Sequence, residues 1–353
     1  MAATVRAKVA GAGGLGRYLL AAVLVRGADS GAAVGLILLA LDPGRHLREG
    51  AATGGLLAAA LSAPHLVGPW AAHRLDRSRD GRRLLAIAYF VYAVALAIGA
   101  LAVGRMPVAV AISAVAVAGC CGPLLTGGLS SRLAAISGAG TRAQRRAQGW
   151  DALTYGVGGT AGPAMVAAVA ALSGPLPALL GLSGAAAIAA VLTLTLPPDR
   201  SRPSATDRAP SVLAGISLLV TRAPLRRVTM MTMLTALELG AIPVIAATLG
   251  PGLSGRPGTG ATLIVAYGLG NLTGSLLVTA FPLRGEPDLL ALRLFGAMAV
   301  ATAVCAFAPT FPLALAGFAL IGVGNSVSFT ATLAARSQYA PPTARAQIFV
   351  TSA

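Results

Sequence analysis

The sequence predicts an all-α membrane protein that crosses the bilayer many times. Hydrophobic residues make up 56% of the 353 residues, and charged residues only 11%. A soluble domain carries about 25% charged residues, so this chain could not cover its surface against water. Long apolar runs recur along the whole chain, and the charges are concentrated between them. A lipid bilayer is the solvent that accepts such a composition.

Ten apolar runs are long enough to span a membrane as helices, which requires about 20 residues each. The runs cover 18–41, 53–72, 84–103, 108–129, 153–172, 176–196, 228–249, 261–281, 289–308 and 311–333. The first run is too long for a cleaved signal peptide, and nine more runs follow it.

The basic residues predict the orientation. If the N-terminus is inside, the outer gaps contain only Arg45, Arg48, Arg105 and Arg256, while Arg26 lies within a span. All the other arginines, and the single lysine, then lie in inner gaps. Because inner loops carry the excess of positive charge, we expect a multi-pass protein of the bacterial plasma membrane with a cytoplasmic N-terminus.

The net charge of +16 would also fit a nucleic-acid-binding protein. The arginines lie in short gaps between apolar runs, which is typical of membrane orientation, so we expect no nucleic-acid partner. The three cysteines, Cys120, Cys121 and Cys305, lie in apolar runs without ligand spacing. No metal, nucleotide or other cofactor motif occurs, and we expect neither a cofactor nor enzymatic activity.

The longest gap divides the chain into residues 1–196 with six spans and 228–353 with four. The intervening 197–227 opens as a polar, proline-bearing linker. It continues with apolar residues at helical spacing, which predict a short amphipathic helix on the inner membrane surface that Pro224 would end. The apolar residues at this helical spacing are Val212, Leu213, Ile216, Leu219 and Val220.

The two parts of the chain repeat each other. Asp29 in the first span matches Glu238 in the seventh, and His65 in the second matches Asn271 in the eighth. Leu129-Ser-Ser-Arg likewise recurs as Leu333-Ala-Ala-Arg. Parallel repeats joined by an inner loop are a transporter architecture. The register of the repeat predicts an eleventh span starting near residue 348, so we expect a twelve-span protein that this sequence leaves incomplete.

The loop after the second span carries a family motif, which reads Gly68-Pro-Trp-Ala-Ala-His-Arg-Leu-Asp-Arg-Ser-Arg-Asp-Gly-Arg-Arg. It resembles the loop motif of the major facilitator superfamily (MFS), with Ala72 at the usual glycine position and two extra residues before the last glycine. The matching residues are Asp76, Arg77, Gly81, Arg82 and Arg83, and Gly68 lies one turn before the usual glycine position. The resemblance implies an MFS-like six-helix bundle followed by four helices of a second bundle.

In that family the loop acts as a conformational latch, in which the aspartate caps the eleventh helix. Asp76 would take this role, and we expect it at the cytoplasmic membrane boundary near Arg82, Arg83 or neighbouring helix ends. We expect its partner beyond residue 353. An ordinary positive-inside loop is the alternative interpretation of the motif.

The fifth span contains Gly158, Gly162 and Pro163, which resemble the family's antiporter motif. Val166 and Ala167 replace its final glycine pair. In the family this helix seals one face of the transport path. The alternative is a plain packing face, because small residues four apart allow helices to approach closely. The fourth span lacks the arginine of a second antiporter motif, which argues against proton antiport.

Charged residues inside spans are costly and usually functional. Arg26 and Asp29 are three residues apart and therefore lie on one face of the first span. They could form part of a substrate site, or they could be an ion pair whose two charges only neutralise each other. Glu238 has no local partner. We expect Asp29 and Glu238 to face a shared cavity, with Glu238 as the better proton carrier and Asp29 as a cation or substrate anchor. His65, Asn271 and Asn325 are further candidates, or polar residues satisfied between helices.

These features predict a secondary transporter that moves a small organic solute by alternating access. Efflux coupled to protons is the first interpretation, small-solute uptake is the second, and a scaffold without transport activity is the alternative from another class. We expect membrane lipid and a small-molecule substrate as partners, and a monomer.

Overall fold

The fold is helical throughout the part that the computed structural model describes. The described residues are 2–45, 47, 49–78, 80–137, 140–198, 210–256 and 259–352, with side chains described except at 2–13 and 243. The helices in chain order are α1 (Ala2–Leu41), α2 (Gly50–Ser62), α3 (Gly68–Arg77), α4 (Gly81–Ala102), α5 (Val108–Pro123), α6 (Leu133–Ile136), α7 (Thr141–Ser173), α8 (Pro175–Leu194), α9 (Val212–Thr221), α10 (Ala223–Ser254), α11 (Thr259–Ala280), α12 (Pro287–Ala306), α13 (Phe311–Tyr339) and α14 (Arg345–Thr351).

The apolar runs coincide with helices of membrane-spanning length. Among the described residues, nine helical segments are long and apolar enough to cross a membrane, and α10 makes a tenth if its bent halves count as one. The bend of 40° falls between Ile242 and Val244, where the sequence has a proline. Proline in a helix interior removes a backbone hydrogen bond, which accounts for a bend at this point.

The burial pattern of α4 is that of a helix in lipid. Ile87, Phe90 and Val94 form an exposed apolar stripe at spacings of three and four residues. Tyr89 and Tyr92 lie on the opposite, fully buried face. A stripe that is apolar and exposed has no place in water but suits hydrocarbon. The multi-pass membrane fold predicted from composition is confirmed.

The chain folds into two compact units. Unit 1 comprises residues 1–138, 157–216 and 342–351, and unit 2 comprises 139–156, 217–341 and 352–353. Within unit 1, α8 packs against α1 and α4, while α5 packs against α2 and α4. Within unit 2, α13 packs against α10, α11 and α12. Boundaries between the units fall inside α7 and inside α9.

One predicted helix end is wrong, and one helix starts well before the apolar run that predicts it. Pro224 does not end α9, which stops at Thr221; it lies in the first turn of α10, which starts at Ala223. Proline is favoured there because the first amides of a helix need no intrahelical partner. The helix of the fifth span starts at Thr141, twelve residues before the apolar run that predicts it. Hydropathy misses such a start because its residues are polar.

The segment 197–227 contains α9 where the apolar spacing predicts a helix. Leu219 is buried, whereas Leu213 and Val220 are largely exposed. Most of the predicted polar linker, residues 199–209, lies outside the described residues.

Candidate functional site

The first candidate site in unit 1 centres on the acid of α1. Asp29 is half-buried and lies within electrostatic range of His65 and Tyr92. The Tyr92 hydroxyl donates a 3.2 Å hydrogen bond to the carbonyl of Ala28. Arg26 is buried and donates to Ser130 Oγ at 2.8 Å. His65, on another helix, therefore lies close enough to Asp29 to act on it electrostatically.

His65 reaches this position through a break in the second span. The helix is interrupted between α2 and α3 by a tighter 3₁₀ turn at Ala63–Val67, which has a proline at its start. The His65 Nδ1 atom lies 2.9 Å from the carbonyl of Ser62. A Cβ atom added to Gly122 of α5 would lie 2.3 Å from His65 Nε2. The glycine therefore makes room for the imidazole, and nothing in the hydropathy pattern signals either feature.

The glycine motif of α7 packs directly against α1. A Cβ at Gly162 would lie 2.2 Å from the carbonyl oxygen of Gly27, and one at Gly158 would lie 2.8 Å from Arg26 Cβ. Ser30 Oγ donates to the carbonyl of Gly158 at 2.8 Å. Pro163 follows inside the helix. The two glycines thus allow α1 and α7 to approach closely, on the face of α1 next to Asp29.

Asp76 caps a helix, as the loop motif implies. Its Oδ1 accepts from the backbone amide of Ala346 at 2.8 Å, and its Oδ2 from that of Gln347 at 2.9 Å. These amides belong to the first turn of α14, where the helix dipole favours an anion. The expectation that the partner lies beyond residue 353 is wrong. α14 begins at Arg345, a few residues before the position near 348 where the repeat predicts the eleventh span.

Small residues let α14 approach this loop. A Cβ at Gly68 would lie 3.0 Å from Val350 Cγ1, while Ala72 is fully buried. The Gln347 side chain contacts His73 Nδ1 and the carbonyl of Pro210, both at 3.1 Å. The loop motif and α14 therefore form one packed cluster within unit 1.

The end of the loop is held by an acid that the motif does not include. Asp80 caps α4, and its carboxylate binds the Arg82 guanidinium at 2.9 Å and Arg83 Nε at 3.5 Å. The hydrogen bonds from Arg82 hold the pKa of Asp80 below its usual value. Arg82 also donates to the carbonyl of Leu196 at 2.7 Å, after the end of α8. Arg77 is exposed.

The next glycine of the motif faces an arginine. A Cβ at Gly81 would lie 3.1 Å from Arg132 Nη1. The first turn of α4 thus lies against the segment that follows α5, and this contact joins the loop motif to the end of the fourth span.

Unit 2 has its own polar cluster within the span region. Glu238 is half-buried, and its Oε1 accepts a 2.8 Å hydrogen bond from Thr302 Oγ1 of α12. The Tyr267 hydroxyl lies beside Asn271 and Asn325 and within electrostatic range of Glu238. Four helices, α10 to α13, therefore each contribute a polar side chain. Tyr267 and Thr302 were not predicted, because a single hydroxyl in an apolar run gives no signal.

A second group lies at the ends of the unit 2 helices and was also not predicted. Arg227 pairs with the buried Asp288 at 2.8 Å. Tyr339 donates to Asp288 at 3.2 Å and also hydrogen-bonds Glu286. These contacts tie the ends of α10, α12 and α13 together. Among the described residues, no group of three His, Cys, Asp or Glu side chains could hold a metal ion.

The apolar helices and their buried charges define a multi-pass membrane protein with a transporter architecture. The family model of the Major Facilitator Superfamily matches residues 18–351. The chain belongs to this superfamily, and its fold supports a secondary transporter of that type.

Solved structures of the superfamily share the fold at low sequence identity. A bacterial homologue of the iron transporter ferroportin, in the outward-facing state, is 14% identical with a TM-score of 0.74, covering 96% of this chain and 87% of its own. The human organic anion transporter MFSD10 is 15% identical with a TM-score of 0.72, and the match covers 95% of this chain and 89% of MFSD10. The E. coli fucose:proton symporter FucP is 15% identical with a TM-score of 0.66, covering 95% and 87%. No curated protein matches this chain.

Proposed function

We propose that this protein exports a small organic solute across the bacterial plasma membrane in exchange for protons. It works as a monomer with its N-terminus in the cytoplasm. Alternating access would expose the binding residues first to one side of the membrane and then to the other. Binding can drive this change only if solute and proton bind the two states with different affinity.

The observation that carries the proposal is Glu238 within its polar cluster. A carboxylate facing central lipid costs about 2.5 kcal/mol or more, so such a residue is retained for a reason. The hydrogen bond from Thr302 Oγ1 satisfies one of its oxygens. Among the described residues no cation pairs with Glu238. Tyr267, which lies within its electrostatic range, is neutral, as are Asn271 and Asn325 beside the Tyr267 hydroxyl. An acid with neutral donors can hold or release a proton without breaking an ion pair, so Glu238 suits a coupling role.

Asp29 suits the other role, that of the solute anchor. It shares its surroundings with His65 and the Tyr92 ring, so an acid, a titratable imidazole and an aromatic group lie within one unit. Such a set would bind a cationic or hydrogen-bonding organic group.

The export direction rests on the α7 glycine motif, which resembles that of antiporters. Gly162 packs on Gly27 and Gly158 on Arg26, so the motif fixes the position of α1 close to Asp29. The Asp76 cap of α14 would add a second control, because α14 follows α13 directly and α13 carries Asn325. Making and breaking this cap would couple the loop to the helices of the second bundle.

The test is transport by the purified protein in liposomes with an imposed pH gradient. A panel of organic cations, neutral solutes and anions would be screened from both membrane orientations, with empty liposomes as the control. Export predicts accumulation in inside-out vesicles with an acidic lumen, together with solute-dependent alkalinisation of that lumen. Accumulation only in right-side-out vesicles would establish uptake, and accumulation without a pH gradient would refute proton coupling. Absence of transport across the whole panel would favour the scaffold alternative.

A further inference from the structure

Unit 2 contains a cavity whose lining includes no residue of the polar cluster around Glu238. Its volume is about 780 Å³. It is formed by the first turn of α7, at Thr141, Arg142 and Arg145, and by the segment 280–285 at and after the end of α11. We call it the arginine pocket.

The arginine pocket is strongly cationic. Its lining includes three arginines, Arg142, Arg145 and Arg284, and no acidic side chain. Arg142 and Arg284 are exposed, so they are free to adjust to a ligand. The nearby carboxylate of Glu286 is engaged by Tyr339 and Gln338.

Arg145 gives the pocket a fixed point. Its Nη2 atom donates to Gln338 Oε1 at 2.8 Å and to the carbonyl of Gly285 at 3.4 Å. Its Nη1 atom is buried and has no hydrogen-bond partner in the described structure. A buried guanidinium N–H without an acceptor costs free energy, and an anionic oxygen from a ligand would satisfy it.

The rest of the lining is apolar and lies where a span ends. Ala280 is the last residue of α11, and Phe281, which follows it, is three-quarters exposed. Thr141 is the first residue of α7. The pocket therefore has a cationic wall and an apolar wall beside the ends of two helices of membrane-spanning length, α7 and α11.

We propose that the arginine pocket binds a phosphate group, supplied by the headgroup of an anionic phospholipid. Guanidinium groups bind phosphate oxygens in a paired geometry, and basic pockets between transmembrane helices suit anionic headgroups. The exposed Phe281 would lie along the first acyl carbons. A soluble phosphate compound offers the same anion without the acyl chain, so the two sources can be separated experimentally.

The experiment measures binding by native mass spectrometry of the purified full-length chain. Phosphatidylglycerol is titrated in one arm, and inorganic phosphate and glycerol phosphate in the other. The test variant combines Arg142→Gln with Arg284→Gln, whose exposed side chains can be changed without disturbing the core. Arg145→Gln is the second variant. Arg222→Gln is the matched control, because Arg222 is exposed in the same unit but outside the pocket.

Each arginine removed should weaken binding about fivefold, and the double variant about 25-fold. We expect this loss for phosphatidylglycerol, no change in Arg222→Gln, and no retention of the soluble phosphates. If the soluble phosphates bind and the arginine variants weaken their binding in the same way, the pocket is a phosphate site whose ligand is soluble and not a lipid. Equal phosphatidylglycerol binding by the wild type and the double variant would overturn the proposal, as would an equal loss in Arg222→Gln.

Discussion

Replacing Gly162 by alanine should separate α1 from α7. The added Cβ would lie 2.2 Å from the Gly27 carbonyl oxygen and 2.8 Å from Ser30 Oγ. Carbon and oxygen normally approach no closer than about 3.3 Å, so the helices must move apart by about 1 Å. The obstacle is backbone and cannot rotate away. Overpacking of this kind costs about 1–3 kcal/mol.

The same helix offers a matched control. A Cβ added at Gly159 meets nothing within 4 Å. Gly159→Ala should be neutral or stabilising by up to about 1 kcal/mol, because alanine favours the helix. The two variants should therefore differ by about 1–4 kcal/mol in free energy of unfolding.

Equilibrium unfolding in mixed micelles, followed by circular dichroism, measures this difference. Transport by the two variants should follow the same order. Equal free energies of unfolding for Gly162→Ala and Gly159→Ala would refute the claim that this glycine allows the close approach of α1 and α7.

Two further predictions concern the loop. Asp76→Asn removes the negative charge that accepts the two hydrogen bonds from the amides of Ala346 and Gln347. The hydrogen-exchange rates of these amides should rise about 10- to 150-fold. Asp80→Asn is the control and should leave both exchange rates unchanged. Equal exchange in both variants would exclude the cap. Arg82 lowers the pKa of Asp80 in the folded protein. The interaction of the ionised carboxylate therefore stabilises the fold at pH values above the pKa of Asp80 in the unfolded chain, which is about 4. This stabilisation is lost as the pH falls below about 4. The difference in unfolding free energy between wild type and Asp80→Asn should thus be constant near neutrality and shrink below about pH 4; a difference that grows on acidification contradicts this sign.

Hydropathy located the spans because burial in lipid demands a continuous apolar run. The seventh predicted span, 228–249, falls within α10, and its bend coincides with a proline visible in the sequence. The polar helix starts were not predictable in this way. Arg146-Ala-Gln148 and Arg345-Ala-Gln347 both resemble loops, yet both lie in helices.

The loop motif predicted the role of Asp76 as a helix cap but not the position of its partner. The repeat register placed the eleventh span near residue 348, whereas α14 begins at Arg345 with a polar turn that Asp76 caps. Asp76 binds backbone amides of α14, so the side chains of that helix give no sequence signal for the cap.

The candidate binding residues were predicted individually, but their neighbours were not. Asp29 was expected on one helix face with Arg26, and the structure adds His65, which lies within electrostatic range of Asp29 from another helix. Likewise, Glu238 showed no partner within its own helix, and Thr302 lies 64 residues away. Sequence spacing describes one helix face, and contacts between helices depend on packing that spacing does not encode.

The most direct test of the account is Glu238→Gln in proteoliposomes, with Glu49→Gln as the control. Glu49 is exposed, lies outside the spans and loses the same charge. Glutamine can still accept from Thr302 but cannot release a proton, so solute binding should persist while pH-driven transport is lost. Wild-type pH dependence in Glu238→Gln would contradict the claim that this carboxylate couples proton movement to transport.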